Sequence, residues 1–224
     1  QVEGRHQIQK IVSGVTASRE LIDAAIAAKA DAIFVHHGLF WRGQDGRVVG
    51  WMKERLQRLL AHDINLYAYH LPLDAHPELG NNAQLGSVLG LQADAWCGDQ
   101  NLVSLGQPKN ALAFANAEAL SAHVEACLGR AVTCIAPQAK PLKRIAWCSG
   151  GAQSYFESAI AQGVDAFITG EISEPQAHIA KETGVAFLAC GHHATERYGA
   201  PAVAAHVAAS LGLVHEFIDI HNPA

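Results

Sequence analysis

The sequence predicts a layered, parallel-rich α/β fold that contains a duplicated β-α-β-α-β half. Apolar runs of strand length alternate along the chain with segments whose apolar residues have helical spacing, as in sheets covered by helices. The duplication rests on short matches at one constant offset: Lys10-Ile11, residues 25–27 and Asp31-Ala32 recur as Arg144-Ile145, residues 159–161 and Asp165-Ala166. We therefore divide the chain into a first half at 1–90, a connecting segment at 91–142 and a second half at 143–224.

Each element of the first half is indicated by its local sequence. Ser18 is a typical N-cap, and the apolar residues that follow it at helical spacing can pack one helix face on a sheet. Residues 31–35 are nearly all apolar, as expected for a parallel strand covered on both faces. The predicted elements are strands at 11–15, 31–35 and 64–69, helices after Ser18 and at 49–62, and a short helix near Asn81.

The second half repeats this alternation after a segment with a weaker pattern. Residues 91–142 contain one clear helix near 118–128, and the rest of that segment resembles strands and loops. The predicted elements of the second half are strands at 144–148, 165–169, 185–189 and 215–220, and helices at 155–162, 175–181 and 200–211.

Composition and charge restrict the classes of function. Half of the 224 residues are apolar and 17% are charged, which suits one large domain or two small ones that share a core. The net charge of −5 disfavours a nucleic-acid backbone as the main partner, because phosphate binding requires a basic surface. No apolar run approaches the roughly 18–20 residues that span a bilayer. The chain begins at Gln1 without a signal peptide or a methionine, and we expect that a segment precedes it.

The five cysteines predict a cytoplasmic protein. They are odd in number, widely spaced and without a C-x-x-C pair, which is typical of reduced thiols. Thiolate zinc sites are therefore not expected, and the thirteen histidines become the informative residue type.

Metal-ligand residue types directly follow three apolar strands: His36-His37, His70 with Asp74, and His192-His193 with Glu196. In open α/β sheets, ligands bind outside the carboxyl ends of the strands, so these groups can converge. Imidazoles and carboxylates suit zinc, manganese, iron or nickel. Four histidines and two carboxylates exceed the needs of one open tetrahedral ion, so we predict two divalent ions in a site between the halves. The predicted metal ligands are His36, His37, His70, Asp74, His192 and Glu196.

Several roles within this set stay open on sequence alone. Adjacent strand residues point to opposite faces, so His36 and His37 reach one site only beyond the end of the strand, or by binding two neighbouring ions. A metal pair generates a hydroxide nucleophile near neutral pH. Asp74 or Glu196 is the expected bridging carboxylate, and Glu196 is alternatively the general base.

Other polar residues near this edge give weaker signals. Glu171 is either a catalytic carboxylate or a helix N-terminal acid, and His193 suits a position facing the substrate as well as a metal site. Residues 149–154 form a Ser-Gly-Gly turn before a helix, where a plain tight turn fits better than an anion site. His6, His62, His123, His206 and His215 are expected on the surface or in hydrogen bonds. His76 and His178 lie close in sequence to the proposed ligand groups without a carboxylate in register, and they are the weaker candidate ligands.

Five motifs spread over nearly the whole chain are shared with one known family. They are V-H-H-G at 35–38, Y-H-L-P-L-D-A-H-P at 69–77, G-N-N-A at 80–83, D-A-F-I-T-G-E at 165–171 and G-H-H-A-T-E-R at 191–197. In these motifs the chain resembles the NIF-three-like family, whose bacterial members are often called GTP cyclohydrolase 1 type 2 homologues. The resemblance implies a two-lobed fold in which the duplicated halves form a layered sandwich, assembled as a toroidal homohexamer. It also implies a dinuclear metal site with ligands at His36, His37, Asp74, His192 and Glu196, with His70 beside them.

The resemblance further implies a dinuclear metal-dependent hydrolase acting on GTP or another nucleotide, including a damaged one. Opening the imidazole ring of GTP at C8 needs a metal-bound hydroxide and an acid at the leaving nitrogen. The predicted catalytic residues are Glu196, Glu171 and His193. The alternative hypothesis is a non-catalytic protein that binds or delivers metal. The expected partners are a small nucleotide-like substrate and other copies of the chain, without a membrane or nucleic acid.

Overall fold

The computed structural model describes residues 1–110 and 112–224, in which ten strands and nine α-helices are present. The strands are β1 Lys10–Thr16, β2 Ala32–His37, β3 Asn65–Ala68, β4 Leu91–Cys97, β5 Val103–Pro108, β6 Thr133–Ile135, β7 Ile145–Trp147, β8 Ala166–Thr169, β9 Ala186–Ala189 and β10 Val214–Phe217. The helices are α1 Arg19–Ala27, α2 Gly50–Ala61, α3 Leu71–Ala75, α4 Asn81–Val88, α5 Ala117–Leu128, α6 Phe156–Ile160, α7 Glu174–Thr183, α8 His192–Thr195 and α9 Gly199–Leu211. The predicted α/β class is confirmed.

The first of two compact units consists of Gln1–Leu73 and Gly199–His221. Its four strands are all parallel, in the order β10-β1-β2-β3. Helix α1 begins as the sequence predicts, because the Ser18 hydroxyl accepts a hydrogen bond from the amide of Leu21 at 3.1 Å. Buried apolar residues of β1, β2, α1 and α2 form its main core.

The second unit consists of Asp74–Tyr198 and Asn222–Ala224. Its six strands are in the order β4-β5-β7-β8-β9-β6, with β7, β8 and β9 parallel and the other pairs antiparallel. Three buried phenylalanines, Phe156, Phe167 and Phe187, pack together on one side of the parallel strands, with ring centroids 4.9–5.8 Å apart. This packing joins α6 to β8 and β9, two of the three strands that lead into the polar loops described below.

One local arrangement recurs at the start of both parallel segments. Asp31 Oδ2 accepts hydrogen bonds from the backbone amides of Gln9 and Lys10, at 2.8 and 3.0 Å. Asp165 Oδ2 accepts from the amides of Lys143 and Arg144 at 2.8 and 3.1 Å. Each aspartate directly precedes the second strand of its parallel segment (β2 or β8) and holds the beginning of the first (β1 or β7). The short Asp-Ala match therefore marks a real structural repeat.

The compact units have other boundaries than the predicted halves. Helix α9 and strand β10, which we placed in the second half, belong to the first unit, because β10 pairs with the free edge of β1. Strands β4 and β5, which we placed in the connecting segment, extend the sheet of the second unit through β7. Both pairings join residues that are distant in the sequence, and local patterns carry no information about them.

Several predicted elements also differ in their extent, and the strand predicted at 215–220 is β10 Val214–Phe217. Strand β2 continues to His37 instead of ending at residue 35, because its ladder with β1 runs on to the pair Thr16 and His37. The helix predicted at 155–162 is a 3-10 turn, Gln153–Tyr155, followed by the shorter α6. In the described part of the chain, no helix is long and apolar enough to cross a membrane.

Candidate metal centre

Three histidines of the first unit converge at the carboxyl ends of its strands. His36 and His37 are the last residues of β2, and His70 follows β3. Each of them offers one ring nitrogen, and these nitrogens lie within 4.8 Å of one another. The ring centroid of His36 lies 4.5 Å from that of His37 and 4.8 Å from that of His70. The prediction that these three side chains come together is correct, although His36 and His37 lie within the strand rather than after it.

Hydrogen bonds fix the orientation of the two strand histidines. His36 Nδ1 lies 3.1 Å from the carbonyl oxygen of Tyr69, which can only accept, so Nδ1 carries the proton and Nε2 keeps its lone pair in the neutral ring. His37 Nδ1 lies 2.9 Å from Thr16 Oγ1 on the neighbouring strand. Bonds of this kind from the second ring nitrogen are typical of histidines that bind metals.

Asp74 lies in the second unit and is held by polar side chains. It is 8% exposed, and its Oδ1 accepts a hydrogen bond from Asn81 Nδ2 at 2.9 Å and from Ser149 Oγ at 3.3 Å. Asn81 is completely buried at the start of α4. A buried carboxylate needs such donors, because burial without them penalises its charged form.

Asn82, the next residue, connects the surrounding segments. Its Nδ2 donates to the carbonyl oxygen of Leu102 at 2.9 Å, and its Oδ1 accepts from the amide of Ser149 at 2.8 Å. Its own carbonyl accepts from the indole of Trp147 at 2.9 Å. The amide of Ser149 is therefore used inside the protein, which agrees with our reading of residues 149–154 as a tight turn rather than an anion site.

His192 lies between two carboxylates of the second unit. Its Nε2 is 3.2 Å from Glu196 Oε2, and its Nδ1 is 2.7 Å from Glu171 Oε1. Hydrogen bonding to Glu196 raises the pKa of His192 to about 9, burial opposes this shift, and Glu171 adds to it. The hydrogen bond from His192 in turn lowers the pKa of Glu171. The carboxylates of Glu171 and Glu196 thus stabilise a positive charge at His192.

Glycines at three adjacent strand ends make room for these side chains. The amide of Gly170 donates to the carbonyl oxygen of Gly150 at 2.9 Å, and the amide of Gly191 donates to that of Gly170 at 2.8 Å. Gly150 has a φ of +66°, and a Cβ there would overlap Glu196 Oε1. The hydroxyl of Thr195 accepts from the amide of Gly150 at 2.9 Å and fixes the loop against α8. Close backbone packing here leaves the space that Glu196 and His192 occupy.

The other predicted residues have simpler placements. His193 follows His192 in α8 and is 9% exposed, and its backbone amide donates to the carbonyl oxygen of Ala224 at 3.2 Å. His76 Nδ1 accepts from the amides of Glu78 and Leu79 in a turn, and His178 pairs with Glu174 on the surface of α7. His76 and His178 thus make local hydrogen bonds, and neither lies in the group of histidines described above.

The sequence predictions gave no supporting role to Asn81, Asn82, Ser149, Gly150 and Thr195, although motifs that contain them were identified. None of these residue types is a common metal ligand. The signal that could have found the first two is a pair of adjacent asparagines at the start of a helix, since asparagine is often used there for its side-chain hydrogen bonds.

The chain is similar to proteins of one family over its whole length. The sequence profile described as Duf34/NIF3 (NGG1p interacting factor 3) matches residues 1–223. A Neisseria meningitidis serogroup A protein named GTP cyclohydrolase 1 type 2 homolog is 53% identical over 224 residues, covering 100% of this chain and 89% of its own length. An Escherichia coli K12 protein of the same name is 49% identical over 225 residues, with the same coverage.

Solved structures agree with these sequence matches. One is described as protein ybgI of unknown function; it has a TM-score of 0.95 and 48% identity, and the match covers 100% of this chain and 89% of that one. The structure of TTHA1606 from Thermus thermophilus has a TM-score of 0.84 and 31% identity, covering 100% and 88%. The fold described above is therefore shared with experimentally determined structures.

Proposed function

The chain belongs to the Duf34/NIF3 family, and from this premise we propose that it is a hydrolase that depends on two divalent metal ions and acts on a nucleotide-like substrate. The observation that carries the proposal is the convergence of His36, His37 and His70, whose donor nitrogens lie within 4.8 Å of one another. Three imidazoles at this spacing fit one divalent ion of the zinc, iron, manganese or nickel type.

The full ligand set of the proposal has six members: His36, His37, His70, Asp74, His192 and Glu196. Three of them are neutral imidazoles in the first unit, and the second unit supplies two carboxylates and a fourth imidazole. Carboxylates compensate the charge of two divalent ions, which a set of neutral imidazoles cannot do. When bound, the ions supply Lewis acidity and make water a stronger nucleophile near neutral pH.

The surrounding residues of the chain would orient these ligands. Asn81 and Ser149 hold one oxygen of Asp74, and Glu171 holds Nδ1 of His192. The contact with His192 favours a positioning role for Glu171 over the catalytic role that we predicted. Glu196, which is 3% exposed, is assigned as a ligand, and His193 stays a predicted contact to the substrate.

The substrate class is proposed from the names of the relatives. Proteins that are 49–53% identical to this chain are called GTP cyclohydrolase 1 type 2 homologs. Hydrolysis at C8 of GTP adds one water across a carbon–nitrogen bond and delivers a proton to the leaving nitrogen. The same site would also suit ring opening of another purine, or attack of water at phosphorus with cleavage of a phosphorus–oxygen bond in a phosphoester. The toroidal homohexamer stays a prediction from the family resemblance.

The proposal is tested by measuring metal content and turnover on the same samples. We expect the purified wild-type chain to retain close to two divalent ions and to consume a nucleotide or phosphoester from a panel that includes GTP. Removal of the ions with a chelator should abolish turnover, and adding them back should restore it. Asp74→Ala should lose both metal and activity, because a carboxylate ligand is removed.

The matched control is His178→Ala, which removes a surface histidine paired with Glu174. This variant should keep both metal and activity. Wild-type protein that retains ions but turns over no compound, and that transfers its ions readily to an acceptor, would support the metal-delivery alternative. Wild-type protein that binds no divalent ion at all would refute both.

A further inference from the structure

We infer that Trp41 is a stacking platform for a planar aromatic ring attached to the group that binds at the histidines of the first unit. The inference rests on the proposed function, because it names a residue that selects the substrate of that site. The ligand class is an anion that carries an aromatic base, as in a nucleotide.

Trp41 lies directly against two of the converging histidines. Its ring centroid is 4.8 Å from that of His70, with the two planes at 85°, and 5.9 Å from that of His37. A single small molecule held at these imidazoles can therefore also contact the indole. The edge-to-face arrangement with His70 leaves indole surface uncovered, and Trp41 is 43% exposed.

The backbone presents the indole on a fixed turn. The amide of Trp41 donates to Gln44 Oε1 at 3.1 Å, and the amide of Gln44 donates to the carbonyl oxygen of Trp41 at 3.1 Å. Two residues earlier, Leu39 is 1% exposed, and its amide donates to Gln1 Oε1 at 2.7 Å. The two bonds with Gln44 close the turn itself, and the bond from Leu39 ties the segment before it to Gln1. A platform that is already in position costs little conformational entropy when a ligand binds.

The charge near Trp41 suits an anionic ligand. Arg42, the next residue in the turn, is exposed and forms no ion pair with any residue that the structure describes. Arg47, farther along the same loop, is paired with Asp45 at 2.7 Å. Arg42 is therefore available to a phosphate of the ligand without the loss of an internal ion pair.

Other exposed tryptophans lack this combination. Trp51 is 58% exposed on α2, where Arg55 lies over its ring at 4.8 Å. Trp96, in the second unit, is 52% exposed and lines a cavity of about 420 Å³ together with Asp74 and Lys109. No ring contact with a histidine is described for either side chain. They serve as matched comparisons for Trp41.

The test compares two ligands that differ only by the base, GMP and ribose 5-phosphate. Their dissociation constants would be measured by calorimetry on the metal-containing protein, with metal content determined for every sample. For Trp41→Leu we expect GMP binding to weaken by about 5- to 150-fold, the range of base–aromatic stacking, with no change for ribose 5-phosphate. Trp41→Phe should recover most of the GMP affinity, and Trp51→Leu should behave as wild type.

Several results would overturn the inference. Equal weakening of both ligands, together with loss of metal, would show that Trp41 only supports His70 and His37. Weakening of GMP binding by Trp96→Leu and not by Trp41→Leu would place the ring in the cavity of the second unit. Wild-type protein that does not bind GMP would also refute it. If such protein still turned over another compound in a metal-dependent way, the proposed hydrolase function would stand and only the inference about Trp41 would fail. If the protein bound no metal, the proposed function and the inference would both fail.

Discussion

Substitution of Gly150 by alanine gives the sharpest test of the space around Glu196. Gly150 has a φ of +66°, and an added Cβ would overlap Glu196 Oε1 and lie 3.1 Å from both Glu196 Cδ and His192 Nε2. Gly129, which ends α5, has a similar φ of +69° but no atom within 4 Å of its added Cβ. A comparison of Gly150→Ala with Gly129→Ala therefore separates the cost of backbone strain from the cost of crowding around Glu196.

The expected magnitudes follow from these contacts. A left-handed backbone costs alanine about 1–2 kcal/mol at either position. Crowding of a filled, buried site adds about 1–3 kcal/mol, because Glu196 is 3% exposed and must shift against its neighbours. We therefore expect Gly129→Ala to lower the free energy of unfolding by about 1–2 kcal/mol and Gly150→Ala by about 2–5 kcal/mol.

The assay is chemical denaturation of the metal-free proteins at one fixed protein concentration, because bound metal and subunit association both shift apparent stability. Metal content is then measured on separately purified samples of each variant. Gly150→Ala should lose metal, since the displaced carboxylate is a proposed ligand, and Gly129→Ala should retain it. If the two variants were equally stable and equally rich in metal, the reasoning about Glu196 and its surroundings would be wrong.

Two further substitutions distinguish a residue that stabilises the fold, Asp165, from a residue that supports the proposed metal site, Asn81. Burial raises the pKa of Asp165, but the amides of Lys143 and Arg144 outweigh it and hold the pKa below its usual value. Its stabilising effect is therefore present above the unfolded pKa of about 3.9 and is lost as pH falls through the lower folded pKa. Asp165→Asn should cost about 1–3 kcal/mol in urea denaturation at pH 7 and progressively less below about pH 4, whereas Asp94→Asn, at an exposed ion pair, should cost under about 1 kcal/mol. An equal cost at pH 7 and pH 3 would contradict the assignment. Asn81→Leu should weaken metal affinity by about 10- to 100-fold in a chelator competition, because Asn81 orients Asp74. Unchanged affinity would exclude that role.

Local patterns predicted the strands outside residues 91–142, most of the helices and the grouping of polar residues at strand ends. Apolar runs such as residues 31–35 identify buried parallel strands, and Ser18 marks a helix start that the structure reproduces. The convergence of His36, His37 and His70 followed from the rule that strand carboxyl ends share an edge. These predictions succeed because periodicity and residue type act locally.

Other features depend on contacts between distant segments. Strand β10 pairs with β1 across nearly the whole chain, and no local pattern indicates which edge it joins. The end of β2 was misplaced because histidines are not typical strand residues, whereas the ladder with β1 holds His37 in extended conformation. Asn81 and Ser149 support Asp74 through side-chain hydrogen bonds whose geometry a sequence does not contain.

The structural repeat also explains how the two units differ in chemistry while sharing a scaffold. Asp31 and Asp165 satisfy equivalent backbone amides at the amino ends of the strands. At the carboxyl ends, β2 of the first unit finishes in His36 and His37, and the equivalent strand β8 of the second unit is followed by Gly170 and Glu171. Stability and ligand chemistry thus occupy opposite ends of the same strands. If this division holds, Asp165→Asn should lower stability without changing metal affinity, and Asn81→Leu should lower metal affinity in samples that remain folded.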